Sequence, residues 1–136
     1  MRNSSLRNRA WRKGATAVEF ALTAPVFFLF LLAAFEFGWL NVMRHTADNA
    51  AYEAARTAMV PGATVAEARA KADKLLNIVG ARGAQVTVTP PVLTSDTNQV
   101  TVAIAIPMNR NGLIVPRFSS KTILQSSSTL RTERAE

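Results

Sequence analysis

The carboxylate of Glu19 is the ionisable group of this 136-residue chain whose position most suggests a specific role. It lies at the start of a long apolar run, just after a basic tail that ends in Lys13 and Gly14. A carboxylate in the apolar region of a bilayer costs about 2.5–3.5 kcal/mol near the centre and less toward the edge. If the chain were cut after Gly14, the new ammonium group on Ala15 would lie one helical turn before Glu19 and would offset much of that cost.

Two interpretations of this carboxylate follow from the residues alone. In the first, Glu19 pairs with a processed N-terminal ammonium group, which could belong to the same chain or to a neighbour. If it belongs to a neighbour, subunits in a bundle of membrane helices are stable at one axial offset and penalised at others. In the second, Glu19 simply extends to the cytoplasmic interface and has no partner. The physical chemistry favours neither interpretation over the other.

No other residues form a recognisable catalytic or metal-binding pattern. His45 is the single histidine and there is no cysteine, so the usual nitrogen and sulfur ligands of a metal site are too few. The serines 126–128 fall on a predicted strand without an identifiable base, and no phosphate-binding glycine motif occurs. We therefore expect no enzymatic activity, no cofactor and no small-molecule substrate.

The net charge of +7 comes mostly from the N-terminal tail. Five of the 16 basic residues precede residue 15, which leaves 11 basic against 9 acidic residues in the remainder. Nucleic-acid binding requires a basic patch on the folded part of a protein. Because that part is nearly neutral, we expect no nucleic-acid partner.

The apolar run predicts a membrane-spanning helix. Residues 20–35 carry no charge, and the apolar character continues to Met43 with Glu36 as the only further charge. A bilayer core about 30 Å thick needs roughly 20 helical residues, which this segment exceeds. Trp39 suits an interfacial position, and the basic residues of segment 1–14 favour a cytoplasmic N-terminus, whether or not that tail is ordered.

A cleavable secretory signal is the main alternative for this segment. Three features argue against it: the run is long for such a signal, it carries a carboxylate near its start, and no clear small-residue cleavage site follows it. Within the run, Pro25 should kink the helix and free a backbone carbonyl, which Thr23 or a neighbouring helix could satisfy.

The same helix is predicted to continue to Met59, where Val60-Pro61-Gly62 ends it. Its second half carries a narrow stripe of alanines that would permit close approach of another backbone. The sequence does not decide between packing on this chain's own sheet and packing on neighbouring subunits. The stripe consists of Ala47, Ala50, Ala51, Ala54, Ala55 and Ala58.

The remaining residues predict a small α+β head. Thr64 and Glu67 form a capping box at the start of an amphipathic helix that glycines 80 and 83 close. Three β-rich segments follow and predict a three-stranded antiparallel meander with the helix on one face. These segments are residues 85–89, 100–106 and 121–130.

The N-terminal third resembles a known family. The basic residues, Gly14, Glu19, the aromatic Phe20 and the long apolar run resemble the prepilin peptidase site of type IV pilins and pseudopilins. With Pro25, the segment 36–38 and the segment 49–56, the region from about residue 13 to residue 56 is similar to the TadE-like family. These proteins are minor pilins or pseudopilins of the tight-adherence (Tad, Flp pilus) system. The segment that carries the resemblance begins Lys13-Gly14-Ala15-Thr16-Ala17-Val18-Glu19-Phe20-Ala21-Leu22.

The resemblance implies cleavage between Gly14 and Ala15 by a prepilin peptidase, with Glu19 and Phe20 serving assembly. Two positions depart from the usual pattern: Phe20 stands where tyrosine is common, and Trp39 stands where a basic residue often follows. A pilin-like fold is implied as well.

These expectations combine into a domain plan of a basic leader (1–14), a transmembrane and extended helix (15–59) and an extracytoplasmic head (60–136). The expected partners are prepilin peptidase, other pilin or pseudopilin subunits, the Tad assembly machinery and the bacterial inner membrane. The alternatives are an uncleaved, single-pass anchored protein whose head binds an envelope partner, and a secreted soluble domain.

Overall fold

A computed structural model describes residues 4–94, 96–112 and 118–131, with the side chains described from Gly14 onward. The elements are α1 (Ser4–Ala58), α2 (Val65–Ile78), β1 (Gln85–Thr89), β2 (Gln99–Pro107), a short 3-10 helix (Met108–Arg110) and β3 (Ile123–Arg131). The chain divides into two compact units, Met1–Phe35 and Glu36–Glu136. The predicted α+β architecture, with a pilin-like layout, is confirmed.

Helix α1 begins well before the expected start near residue 16. It includes residues 4–13, whose leucine, alanine, arginine and lysine residues are good helix formers. A single glycine in a helix costs only about 1 kcal/mol relative to alanine, so Gly14 does not end it. The helix also continues through Pro25. Its C-terminal end at Ala58 is one residue from the predicted end.

Among the described residues, one helical segment, Gly14–Ala58, is long and apolar enough to cross a membrane. Its first half exposes large apolar side chains on every side: Phe20 is 69% exposed, Leu22 71% and Phe30 71%. A helix that is apolar all round needs an apolar environment. This segment therefore fits a membrane anchor.

The alanine stripe lies in the core of the C-terminal unit. All six alanines are buried, in one cluster with Ala68 and Leu76 of α2 and Val102 and Ile104 of β2. Their small side chains let α1 lie close to the rest of this unit. Of the two interpretations left open by the sequence, packing within the chain's own fold is correct.

Helix α2 has the predicted boundaries at both ends. The Thr64 hydroxyl accepts a hydrogen bond from the Glu67 amide, and the Glu67 carboxylate accepts one from the Thr64 amide, which completes the capping box. At the other end Gly80 has φ +64°, and the amide of Ala81 donates to the carbonyl of Leu76. This Schellman arrangement needs a left-handed residue and explains the glycine there.

The sheet has the predicted meander order β1-β2-β3, with antiparallel pairing throughout. Alternate residues of β2 are buried, so the sheet has one apolar face toward the helices and one polar face. The polar face is uncharged along most of its length. It carries Gln85, Thr87, Thr101, Ala103, Gln125, Ser127 and Thr129.

Candidate functional site

The predicted processing and assembly residues lie together on an exposed stretch of α1. Gly14, Ala15, Glu19 and Phe20 are all exposed, with helical backbone. Because Ala15 and Glu19 are four residues apart in a helix, they lie on the same face one turn apart. A methyl group added at Gly14 would meet no atom within 4 Å, so this glycine is not needed for packing in its own chain.

The Glu19 carboxylate has no hydrogen bond or ion pair within the part of the chain that the structure describes. The Glu19 backbone carbonyl does have a partner: the Thr23 hydroxyl donates to it at 2.9 Å and approaches the Phe20 carbonyl at 3.4 Å. The expectation that Thr23 satisfies the carbonyl freed by Pro25 is wrong. That carbonyl belongs to residue 21, whereas a helical threonine hydroxyl reaches the carbonyls three and four residues before it.

The second charge of the apolar run, Glu36, is satisfied inside the C-terminal unit. Its Oε1 accepts hydrogen bonds from the amide of Phe118 at 2.9 Å, the amide of Ser119 at 2.6 Å and the hydroxyl of Ser119 at 2.6 Å. Hydrogen bonds to a charged group are the stronger ones in proteins. Glu36 therefore fastens the segment before β3 to the first turn of α1 in this unit.

A second polar connection lies one turn further along α1. Trp39 Nε1 donates to the backbone carbonyl of Asn111 at 2.5 Å. The buried Asn111 side chain accepts from the amide of Arg82 at 2.6 Å and donates to the carbonyls of Arg82 and Pro107, each at 2.8 Å. Asn111 therefore joins α1, the turn after α2 and the end of β2, and both N–H donors and the carbonyl oxygen of its side chain have partners.

The serines and the histidine considered in the sequence analysis show no catalytic arrangement among the described residues. Ser126 is buried and donates to the carboxylate of Asp48 at 2.6 Å, which ties β3 to α1. His45 is exposed, and no hydrogen bond links it to a serine among the described residues. Within the same residues, no group of three histidine, cysteine or acidic side chains could hold a metal ion.

We expect Glu36→Ala to release the segment at Phe118 and Ser119. Three donors would lose a charged acceptor, which we expect to lower the free energy of unfolding by about 2–3 kcal/mol. Hydrogen exchange of the full chain in detergent would show faster exchange at both amides, with α2 little changed.

Glu36→Gln keeps an acceptor oxygen without the charge and should give a smaller change. Equal exchange at Phe118 and Ser119 in the parent chain and Glu36→Ala would contradict the proposed role of this carboxylate.

Gly14, Ala15, Glu19 and Phe20 remain predictions from the sequence, and the sequence did not single out Asn111, Phe118 and Ser119. The sequence did carry one signal for them. A carboxylate at position 36, at the end of an uncharged run, needs donors, and nothing nearby in the sequence supplies them. A search for distant donors would have pointed to the polar loop segments, without selecting Ser119 among many serines.

Comparison with known proteins relates part of this chain to a family. Searches of curated proteins and of solved structures found no match to this chain. Residues 14–56 match the model of the family described as TadE-like protein. The match covers the apolar half of α1 from Gly14, both acidic residues 19 and 36, and most of the alanine stripe. It indicates a protein associated with the Tad pilus system, and the resemblance predicted from the sequence is confirmed: segment 14–56 of this chain is TadE-like.

Proposed function

We propose that this chain is a minor pilin or pseudopilin of the Tad system, processed by a prepilin peptidase between Gly14 and Ala15. The observation that carries the proposal is the TadE-like match over residues 14–56, a segment that begins at the predicted cleavage residue. In this proposal the mature chain is held in the inner membrane by α1 and then joins a helical bundle with other subunits. The C-terminal unit lies on the extracytoplasmic side.

The surroundings of Glu19 support its role in assembly. It stands on an exposed, apolar stretch of α1, and its carboxylate has no partner among the described residues. Glu36, by contrast, has its donors within the chain. A charge left without a partner in an apolar region favours any arrangement that supplies one. The ammonium group of a processed neighbouring subunit would supply it at a single axial offset.

Exposed Gly14 allows a direct test of processing. Because position 14 is exposed and a Cβ atom added there meets no atom within 4 Å, Gly14→Leu should leave the fold unchanged. We expect the parent chain, isolated from its native host, to begin at Ala15 and the Gly14→Leu chain to keep residues 1–14. Intact mass and N-terminal sequencing measure both.

Gly62→Leu is not a suitable control, because Gly62 has φ +81° and leucine would be strained in that backbone conformation. Ala17→Leu, at a neighbouring exposed helical position, is matched and should still be cut. An intact N-terminus in the parent chain would overturn the proposal and support the uncleaved anchor instead. Cleavage beyond the apolar run, with no protein in the membrane fraction, would support a secreted domain.

A further inference from the structure

The C-terminal unit exposes an apolar surface next to the point where α1 enters it. The rings of Phe37 and Phe118 stack with centroids 6.2 Å apart and an interplanar angle of 27°. Phe37 is 55% exposed, Phe118 51% and Ile123 60%. We call these three residues the aromatic patch. Large apolar side chains grouped on a surface are typical of contact with a partner or a membrane.

The aromatic patch is flanked by basic groups. Phe37 and Ile123 line one open groove between α1 and β3, and Arg44 lines the same groove. Lys121 is exposed two residues before Ile123, in the turn closed by the bond from the Thr122 amide to the Ser119 carbonyl. The carboxylate beside the patch, that of Glu36, accepts three hydrogen bonds from Phe118 and Ser119. The side chains of Arg44 and Lys121 therefore provide positive charge at the edge of the patch.

The position of the patch in the chain indicates what covers it. Phe37 is the second residue after the uncharged run 20–35, which fits a membrane anchor. Connectivity therefore puts Phe37 at the level where the anchor leaves the bilayer core. Phe118 and Ile123 come from a distant part of the sequence, and stacking on Phe37 brings Phe118 to the same level.

We propose that the aromatic patch inserts into the headgroup region of the bilayer that holds α1, with Arg44 and Lys121 contacting lipid phosphates. Phenylalanine and aliphatic side chains on a protein surface can be buried at the boundary between headgroups and acyl chains, and basic side chains beside them are attracted to anionic lipids. A second copy of the chain is the less suitable occupant because two like patches would bring their flanking cations together. The proposal rests on membrane anchoring and does not require cleavage or filament assembly.

The absence of cysteine from the sequence allows the proposal to be tested with single nitroxide labels. Thr122→Cys puts a label on the turn beside the patch. Thr122 is not one of the three patch residues, and because its side chain is exposed the label should not disturb the fold. Ile78→Cys, on an exposed position of α2 that is 75% accessible, is the control within the same unit. Leu29→Cys labels the apolar half of α1.

The full chain is reconstituted at low density in vesicles of phosphatidylcholine with phosphatidylglycerol. Collision of each label with oxygen, which partitions into lipid, is compared with collision with a water-soluble nickel complex. We expect the oxygen preference at Thr122 to be several-fold higher than at Ile78. Replacing both Phe37 and Phe118 by serine should bring Thr122 to the Ile78 value, and pure phosphatidylcholine should lower the preference at Thr122.

Three outcomes would overturn the proposal. Equal, water-like values at Thr122 and Ile78, with a lipid value at Leu29, would show that the patch stays in water although the anchor is inserted. Low collision with both reagents at Thr122, together with spin–spin broadening, would show that a second copy covers the patch. A water-like value at Leu29 would show that α1 is not inserted, which removes the basis of the proposal.

Discussion

Under the proposed pilin function, replacing Glu19 by alanine should leave the chain folded, inserted and cut after Gly14, but largely absent from assembled pili. The carboxylate raises the free energy of the isolated subunit in the membrane by up to about 2.5–3.5 kcal/mol, which pairing in a bundle would offset. Alanine removes that difference, so the free subunit is no longer disfavoured. Since 1.4 kcal/mol corresponds to a factor of ten and the cost is lower toward the membrane edge, we expect incorporation to fall by about tenfold.

The measurement is the ratio of the protein in sheared pili to the protein in the membrane fraction, with the N-terminus determined in both. Glu19→Gln, which keeps the shape without the charge, should fail like alanine. Asp73→Asn, at an exposed carboxylate of α2, is the matched control and should assemble normally. If Glu19→Ala is processed and incorporated as well as the parent chain, the assembly role of this carboxylate is wrong.

Asn111→Ala should strongly destabilise the C-terminal unit. Asn111 is 4% exposed, and its side chain makes three hydrogen bonds to the backbone at residues 82 and 107. Alanine would leave the amide and carbonyl of Arg82 and the carbonyl of Pro107, all in part-buried hydrogen bonds, without these partners. Unsatisfied buried groups cost about 1–3 kcal/mol each before relaxation, so we expect a loss of about 3 kcal/mol in the free energy of unfolding. Thermal unfolding of the full chain in detergent, followed by near-ultraviolet circular dichroism, measures it.

Two variants make this result specific. Asn111→Asp keeps the size of the side chain but replaces its two donors with an oxygen that faces the carbonyls of residues 82 and 107. We therefore expect it to be at least as destabilising as alanine. Asn109→Ala, at an exposed residue of the 3-10 helix that precedes Asn111, should change the free energy of unfolding by less than about 0.5 kcal/mol. Equal stability of Asn111→Ala and Asn109→Ala would show that the three hydrogen bonds contribute little.

Local patterns were sufficient to predict most of the fold. The capping box at Thr64 and Glu67 and the glycine at position 80 determine the ends of α2 through contacts within a few residues. Apolar residues alternate with others in segments 85–89 and 99–107, and a proline stands at the end of each segment. This pattern likewise predicts strands with one buried face. In such cases the physical cause lies in the same stretch of sequence as the signal.

The connections within the C-terminal unit could not be predicted in this way. The hydrogen bond from Ser119 to Glu36 joins residues 83 positions apart, and that from Trp39 to Asn111 joins residues 72 positions apart. Several serines and asparagines have the same donors, and only the folded backbone selects among them. The burial of the alanine stripe was undecided for the same reason, because close packing on a sheet and close packing on a neighbour need the same residues.

The two polar connections at residues 36 and 39 also have a mechanical consequence. A pull applied along α1 reaches the C-terminal unit first at this turn, before it reaches the buried alanines. Glu36 transmits load to the segment that leads into β3, and Trp39 transmits it through Asn111 to the end of β2. Tension therefore divides between the central strand and an edge strand of the sheet. Among the described residues, these are the first side-chain hydrogen bonds from α1 that such a pull would load.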